Sequence, residues 1–373
     1  MILGRVKLGE FQRAIEEWIP PATAWKGDNT GIQIGRTDAT VTNILLALDV
    51  TLEAAKEAVE RRANLIVTHH PLLFHPLRSL TQKSRAGEIA LYLAERKINL
   101  YAAHTNLDHV QGGVSFAMAS ILGLKNVRML THLKASILKV VVFVPEKYVE
   151  KVAGAMHRAG GGTFTKYEEC SFRSEGIGTF KGTRGSHPFV GSAGVLEKTR
   201  ETKLEMIVEV GNMREVVPAM IKAHPYEEVA YDLIPLHNDD QEHGLGAIGE
   251  FPETLSQGKF LSRTKRTLGV PLLRYTGKAA RGIRRVAVCG GAGIEAMEEA
   301  VRQQADAFIT ADVKYHSFQD AERDIVLVDA GHYETERHVL PTLAARIKSI
   351  VRAHHASSKV LITRKNTNPV SYI

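Results

Sequence analysis

Cysteine is nearly absent. Cys170 and Cys289 are the two in 373 residues, far apart in the chain. That excludes a disulfide framework and a cysteine-built zinc site, and it fits a reducing cytoplasm. Long apolar runs are missing too. The strongest, Ile137–Pro145, is broken by Lys139 and falls far short of the roughly 20 residues that span a bilayer. The opening stretch MILGRVKLGEFQRAIEEW has no apolar core and no small-residue cleavage site, so no secretory leader is expected. Blocks of one charge are also lacking. The net charge of +7 is spread along the chain, with no helix-turn-helix, zinc-finger or aromatic RNA-binding signature beside it. This reads as a mildly basic solvated surface, not a nucleic-acid site, and it is compatible with an anionic small-molecule substrate.

What is present is alternation of β and α patterns. Residues 44–50 read as a buried strand. Residues 51–62 follow with helical spacing behind Thr51 as N-cap, and 65–68 form the next strand, a βαβ unit. A helix over 86–97, a strand over 99–103 and a helix over 114–122 continue the pattern. It returns late, with strands at 285–289, 307–310 and 325–329, a helix over 294–303, and one from about Tyr333 through Leu343 and Ile347. Two such blocks argue for two similar βα-rich halves forming one α/β core. The middle differs. Strands at 137–144, 204–210 and 229–236 alternate with helices at 146–159 and 215–223, as in a ferredoxin-like α+β plait. The expected division is therefore a core of residues 1–128 and 246–373 with an inserted domain at 129–245.

Three segments carry candidate chemistry. His69 and His70 follow the strand 65–68. On the irregular turn that Pro71 enforces, both rings can face one site, although an HH pair alone also suits a surface turn. His104 and Asp108 stand one helical turn apart after the strand 99–103, and Asp108 could instead cap the next helix. His332 and Glu336 have the same spacing after 325–329. A preference for acids in a first helical turn accounts for Glu334 and Glu336 but not for His332. Together, three imidazoles and two carboxylates at strand ends on one sheet edge suit Zn²⁺, Fe²⁺ or Mn²⁺. Five donors are too few for two closed sites, but enough if a carboxylate or hydroxide bridges two ions. His104 is a sixth candidate, as a ligand or as a group orienting one. Asp312, Lys314 and His316 follow another late strand and are candidates for a base, an acid or an anion clamp, with a helix cap equally open for Asp312. Cys289-Gly290-Gly291-Ala292-Gly293 lacks the dinucleotide-binding order and reads as a turn. His354 and His355 read as solvated on a polar C-terminal helix. His224 with Glu227 and Glu228 fits either a metal site or a turn.

Taken in order, THHPLLF, AAHTNLD, TADVKYH and GHYETE resemble the dinuclear-metal-centre hexameric proteins, a Nif-like family often labelled GTP cyclohydrolase I type 2 homologues. Asp28-Asn29-Thr30-Gly31-Ile32 is similar to that family's DNxGL element. The resemblance covers about 1–128 and 246–373. It implies that His69, His70, Asp108, His332 and Glu336 hold two divalent ions, in a toroidal homohexamer whose metal sites face an inner cavity. Some bacterial members carry a PII-like or CutA-like insert, which the middle segment resembles at His224-Pro225-Tyr226-Glu227-Glu228. The expected function is metal-dependent hydrolysis of a nucleotide such as GTP or a related small molecule. The alternative is a metal-binding regulatory or sensor protein whose insert binds a small molecule or ion.

Overall fold

Local signals start the elements where expected. Thr51 accepts a hydrogen bond from the Ala54 amide and opens the helix Leu52–Glu60. Ser84 does the same for Arg85–Glu95 through the Gly87 amide. Such caps are each worth about 1 kcal/mol. The structure, a computed structural model, describes residues 6–133, 137–163, 166–240 and 242–373; residues 1–5 of the stretch read for a leader lie outside them. Among the described residues no helix is long and apolar enough to cross a membrane.

The chain divides into two units, Met1–Leu133 with Gln241–Ile373, and Lys134–Asp240. The first unit holds two sheets. One orders its strands Gly31–Ile34, Asn99–Ala102, Ala63–Thr68, Asn43–Ala47 and Val360–Ile362, with the last four mutually parallel. The other runs Arg274–Thr276, Val326–Asp329, Ala307–Thr310, Ile283–Val288, Ala247–Leu255 and Lys125–Met129, with three parallel strands at its centre. Register keeps the carboxyl ends level. Thr68 pairs with Ala102 in the first sheet, and Thr310 with Asp329 in the second. The expectation that all the site segments share one sheet edge is therefore corrected. Two separate hydrogen-bonded ladders each end in a turn, and the turns meet.

Two helices join the halves. Val339–Ala353 follows a strand of the second sheet, yet its Leu343 and Ile347 pack in the core of the first, with Ile44, Leu46, Leu65 and Val67. Val114–Leu122 lies between both cores: Val114 and Ala117 belong to one, Met118 and Leu122 to the other. A helix with apolar residues on more than one face is what such a position requires.

The helix expected to run unbroken from Tyr333 is two, His332–Glu336 and Val339–Ala353. Pro341 has no N–H for the Arg337 carbonyl, so the ladder restarts with Pro341 in the first turn of the second helix. His354 and His355 lie just beyond its end, with His354 Nδ1 against the Ile350 carbonyl.

The second unit is an antiparallel sheet, Phe172–Lys181, Leu196–Glu209, Ile137–Pro145 and Tyr231–Pro235. Alternate residues Val140, Val142, Val144, Leu204, Met206 and Val208 form its own core with Val152 and Met156 of helix Val149–Arg158 and with Val216 and Met220 of helix Met213–Ala223. The order is that of a split βαβ plait.

Candidate metal centre

The turn after Ala63–Thr68 sets the first two side chains. The amides of both His69 and His70 donate to the Leu48 carbonyl, at 3.1 and 3.0 Å. Two successive amides on one acceptor break the strand's alternation, so the rings lie on one side with centroids 4.9 Å apart. His104 joins them, 5.4 Å from His69 and 5.6 Å from His70. It precedes the single helical turn Thr105–Asp108, which carries Asp108 inward. Asp108 does not cap the next helix, whose N-cap is Gly113 with no side-chain bond. From the second sheet, helix His332–Glu336 brings its two end residues to the same place.

Glu336 is central. Its Oε1 lies 3.1 Å from His332 Nε2 and 3.6 Å from His69 Nε2, and its Oε2 lies 3.1 Å from His70 Nε2. Asp108 Oδ1 is 3.6 Å from His69 Nε2. Donor atoms of His69, His70 and Glu336 all lie within 4.8 Å of one another.

Each of the four histidines is held by its other nitrogen. Nδ1 of His69 donates to the Ala103 carbonyl at 2.7 Å, that of His70 to Asp49 at 2.8 Å, that of His104 to Asp28 at 2.8 Å, and that of His332 to Asp312 at 2.7 Å. An imidazole so held presents the lone pair of Nε2 when neutral. Nε2 of His70 and His332 face each other at 3.3 Å. Two lone pairs at that distance repel unless a cation or proton lies between them. With the imidazoles neutral at Nε2, His69 Nε2, Asp108 Oδ1 and Glu336 Oε2 are moreover buried without hydrogen-bond partners. Buried polar atoms left unpaired are costly, and together these atoms form a donor set suited to divalent ions.

Protons balance the charges of this cluster. Burial disfavours a charged His70, yet hydrogen bonds to Asp49 and Glu336 prevail and lift its pKa to about 10. The same opposition, with Glu336 and Asp312 as partners, brings His332 to about 9. Glu336 goes the other way: its burial is overcome by the charge of His69 and by bonds from His332, His69 and His70, which hold it well below the carboxylate range. Asp108 is raised by burial, against the pull of His69. Burial would raise Asp28 too, but bonds from His104 and Thr105 bring it to about 2.

Asp312 has φ 56° and caps no helix; Lys314 stands at the N-cap of Tyr315–Ala321, and Asp312 serves His332. Lys314 and His316 are exposed, and His316 Nδ1 pairs with Gln319 on its own helix. His224 has both ring nitrogens committed, to the Phe143 carbonyl and the Tyr226 amide, so the turn explains it without an ion.

Two further residues shape the site without any local sequence signal for it. Asp49 fell inside the expected strand 44–50, but the strand ends at Ala47, which puts this lone acid at a strand's carboxyl end. Gly291, in the glycine-rich turn, cradles Glu336. Its φ is +65°, and a Cβ there would lie 2.2 Å from Glu336 Oε1. Gly291→Ala should therefore cost about 1–3 kcal/mol in thermal unfolding through strain. It should also displace Glu336 and lower metal occupancy in elemental analysis. Wild-type occupancy and stability in this variant would dismiss the cradle.

A cavity of about 370 Å³ opens beside His70 and His332, so the donor set is accessible on that side.

The Duf34/NIF3 (NGG1p interacting factor 3) family model matches residues 6–369. The chain is 40% identical over 360 residues to a "GTP cyclohydrolase 1 type 2 homolog" of Halalkalibacterium halodurans, covering 96% of each. It is 35% identical over 360 residues to the protein of that name in Bacillus subtilis, again covering 96% of each. A solved Bacillus cereus protein related to NIF3 superposes with a TM-score of 0.76 at 36% identity, covering 99% of both chains. Membership in the Duf34/NIF3 family follows from the match along almost the whole chain, and the chain belongs to it.

Proposed function

We propose that the chain is a hydrolase dependent on two divalent ions, acting on a nucleotide or related small molecule. The observation that carries this is the shared construction of the four histidines, each fixed through Nδ1, with Nε2 of His69, His70 and His332 turned toward Glu336. His69, His70, Asp108, His332 and Glu336 would hold the ions, with Zn²⁺, Fe²⁺ and Mn²⁺ as the candidates. When bound, such ions supply Lewis acidity and acidify water. The chain's own part is to orient the imidazoles through Asp28, Asp49, Asp312 and the Ala103 carbonyl, and to keep one side open to a small ligand. An open side separates catalytic sites from closed structural ones. The names of the relatives point to GTP as the first substrate to try.

Every proposed donor lies in the core, assigned to 1–128 and 246–373, and none in the insert at 129–245. A CutA-like insert and a hexamer are part of this reading; light scattering checks the assembly. The sensor alternative has one observation in its favour. The inserted unit contains a cavity of about 1050 Å³ whose walls include Phe143, Phe180, Phe189, Tyr226 and Glu201.

The test is metal stoichiometry with a hydrolysis screen. Loaded protein should carry about two ions per chain and hydrolyse GTP or a related compound, with activity lost to chelator and restored by metal. Full loading without turnover across nucleotides and phosphoesters would leave the sensor reading as the better one.

A further inference from the structure

After its last strand, Val360–Ile362, the chain crosses the metal-site end of the core. It leaves the strand at a buried acid, Glu57, which accepts from the Thr363 hydroxyl and the Arg364 amide. Asn366 and Asn368 then fold the backbone by accepting from the amides two residues on, at 3.1 and 3.0 Å. Between these turns, two consecutive residues reach different halves of the core. Thr367, itself buried, donates through Oγ1 to Asp49 Oδ2 at 3.0 Å, while the other oxygen of Asp49 holds His70 Nδ1. Asn368 donates through Nδ2 to Glu334 Oε1 at 2.9 Å. Glu334 is buried on the short helix that also carries His332 and Glu336. Pro369, Val370 and Tyr372 go on to line the 370 Å³ cavity with His70, His332 and Arg274.

We propose that residues 367–372 are a strap that positions the metal donors of both halves and forms a wall of the ligand pocket. Thr367 and Asn368 are positioning residues; Val370 and Tyr372 determine what fits beside His70 and His332. The proposal rests on the metal-centre reading for its consequence, but not for its geometry. A carboxylate shared between a hydroxyl and an imidazole N–H can rotate once the hydroxyl is removed, and the ring it holds then loses its fixed direction. A cavity of this volume lies at the small end of ligand pockets, about 300–1,000 Å³, and Asn368, Pro369, Val370 and Tyr372 together form one part of its wall. The pocket ligand is accordingly small, and Tyr372 and Arg274 are among the residues around it.

The test compares Thr367→Val, Thr367→Ser and Val370→Ala/Tyr372→Ala with wild type. In metal-free protein, the downfield Nδ1 proton of His70, observed by NMR, should exchange faster in Thr367→Val and return to wild-type behaviour in Thr367→Ser. Zn²⁺ affinity, by chelator competition, should fall about tenfold in Thr367→Val, the low end for groups that orient a ligand, and be restored in Thr367→Ser. The double variant should keep its affinity but lose bound Zn²⁺ to dipicolinate about tenfold faster, because the wall is gone. Unchanged His70 exchange in Thr367→Val, or failure of Thr367→Ser to restore it, overturns the positioning role. Unchanged extraction in the double variant overturns the wall. If wild type binds no Zn²⁺ while His70 exchange still follows Thr367, the metal-centre reading fails and the strap stands.

Discussion

Glu336→Gln should lose one ion preferentially, and with it nearly all hydrolytic activity, while the chain stays folded. Glu336 is the carboxylate that touches three imidazoles, with His69 and His332 on one oxygen and His70 on the other. A group placed between donors in this way suits a bridge, and its negative charge screens two cations that would otherwise repel at close range. Glutamine keeps the shape but removes the charge and turns an N–H₂ toward one of the rings. The loss should exceed the ~10–100-fold that partners outside a ligand set typically cost. Asp108→Asn should do less, since Asp108 contacts only His69 among these rings. The metal-free variant should also melt lower at neutral pH. The carboxylate's pKa is depressed, so its contribution is present above about 4.5 and is lost as pH falls through the folded value. Metal content, melting temperature and hydrolysis rate measured on the same preparations decide the matter. Full occupancy in Glu336→Gln would remove it as a bridge.

Metal affinity should climb steeply with pH. In the metal-free chain His70 titrates at about 10 and His332 at about 9, so both carry protons at pH 7 that an ion must displace. Displacing two protons makes affinity rise about a hundredfold per pH unit, on the order of 10⁴ between pH 6 and 8. The metal-free fold responds in the opposite sense. These pKa values lie above the unfolded value near 6.5, so the stability they contribute is fully present below that value and is lost as pH rises through 9 and 10. Zn²⁺ competition assays at pH 6, 7 and 8, with proton release followed by indicator dye, measure the first effect. Thermal melts of chelated protein from pH 6 to 10.5 measure the second. An affinity that changes less than about tenfold over the two pH units would mean the rings are already neutral.

Residue order alone placed most of what is local. Short apolar runs located Ala63–Thr68, Ala307–Thr310 and Val326–Asp329. The i, i+4 spacing put Glu336 beside His332, because one helical turn does so in any context. Pro71 marks the turn that holds the histidine pair, but the shared Leu48 carbonyl that ends the strand at Thr68 and turns both rings the same way lies just past another strand's end. What the sequence left open depended on partners far along the chain. The acceptor of His70 Nδ1 is 21 residues away, that of His104 is 76, that of His332 is 20, and the hydroxyl that completes Asp49 is 318. No periodicity encodes such pairs. A lone Asp49, a second glycine in a turn at Gly291 and a threonine near the end of the chain look like ordinary loop residues. Only when two separate sheets bring their carboxyl ends together do these side chains acquire neighbours. Periodicity and capping act over a few residues and can be read in order; donor orientation is set where segments distant in sequence become adjacent in space.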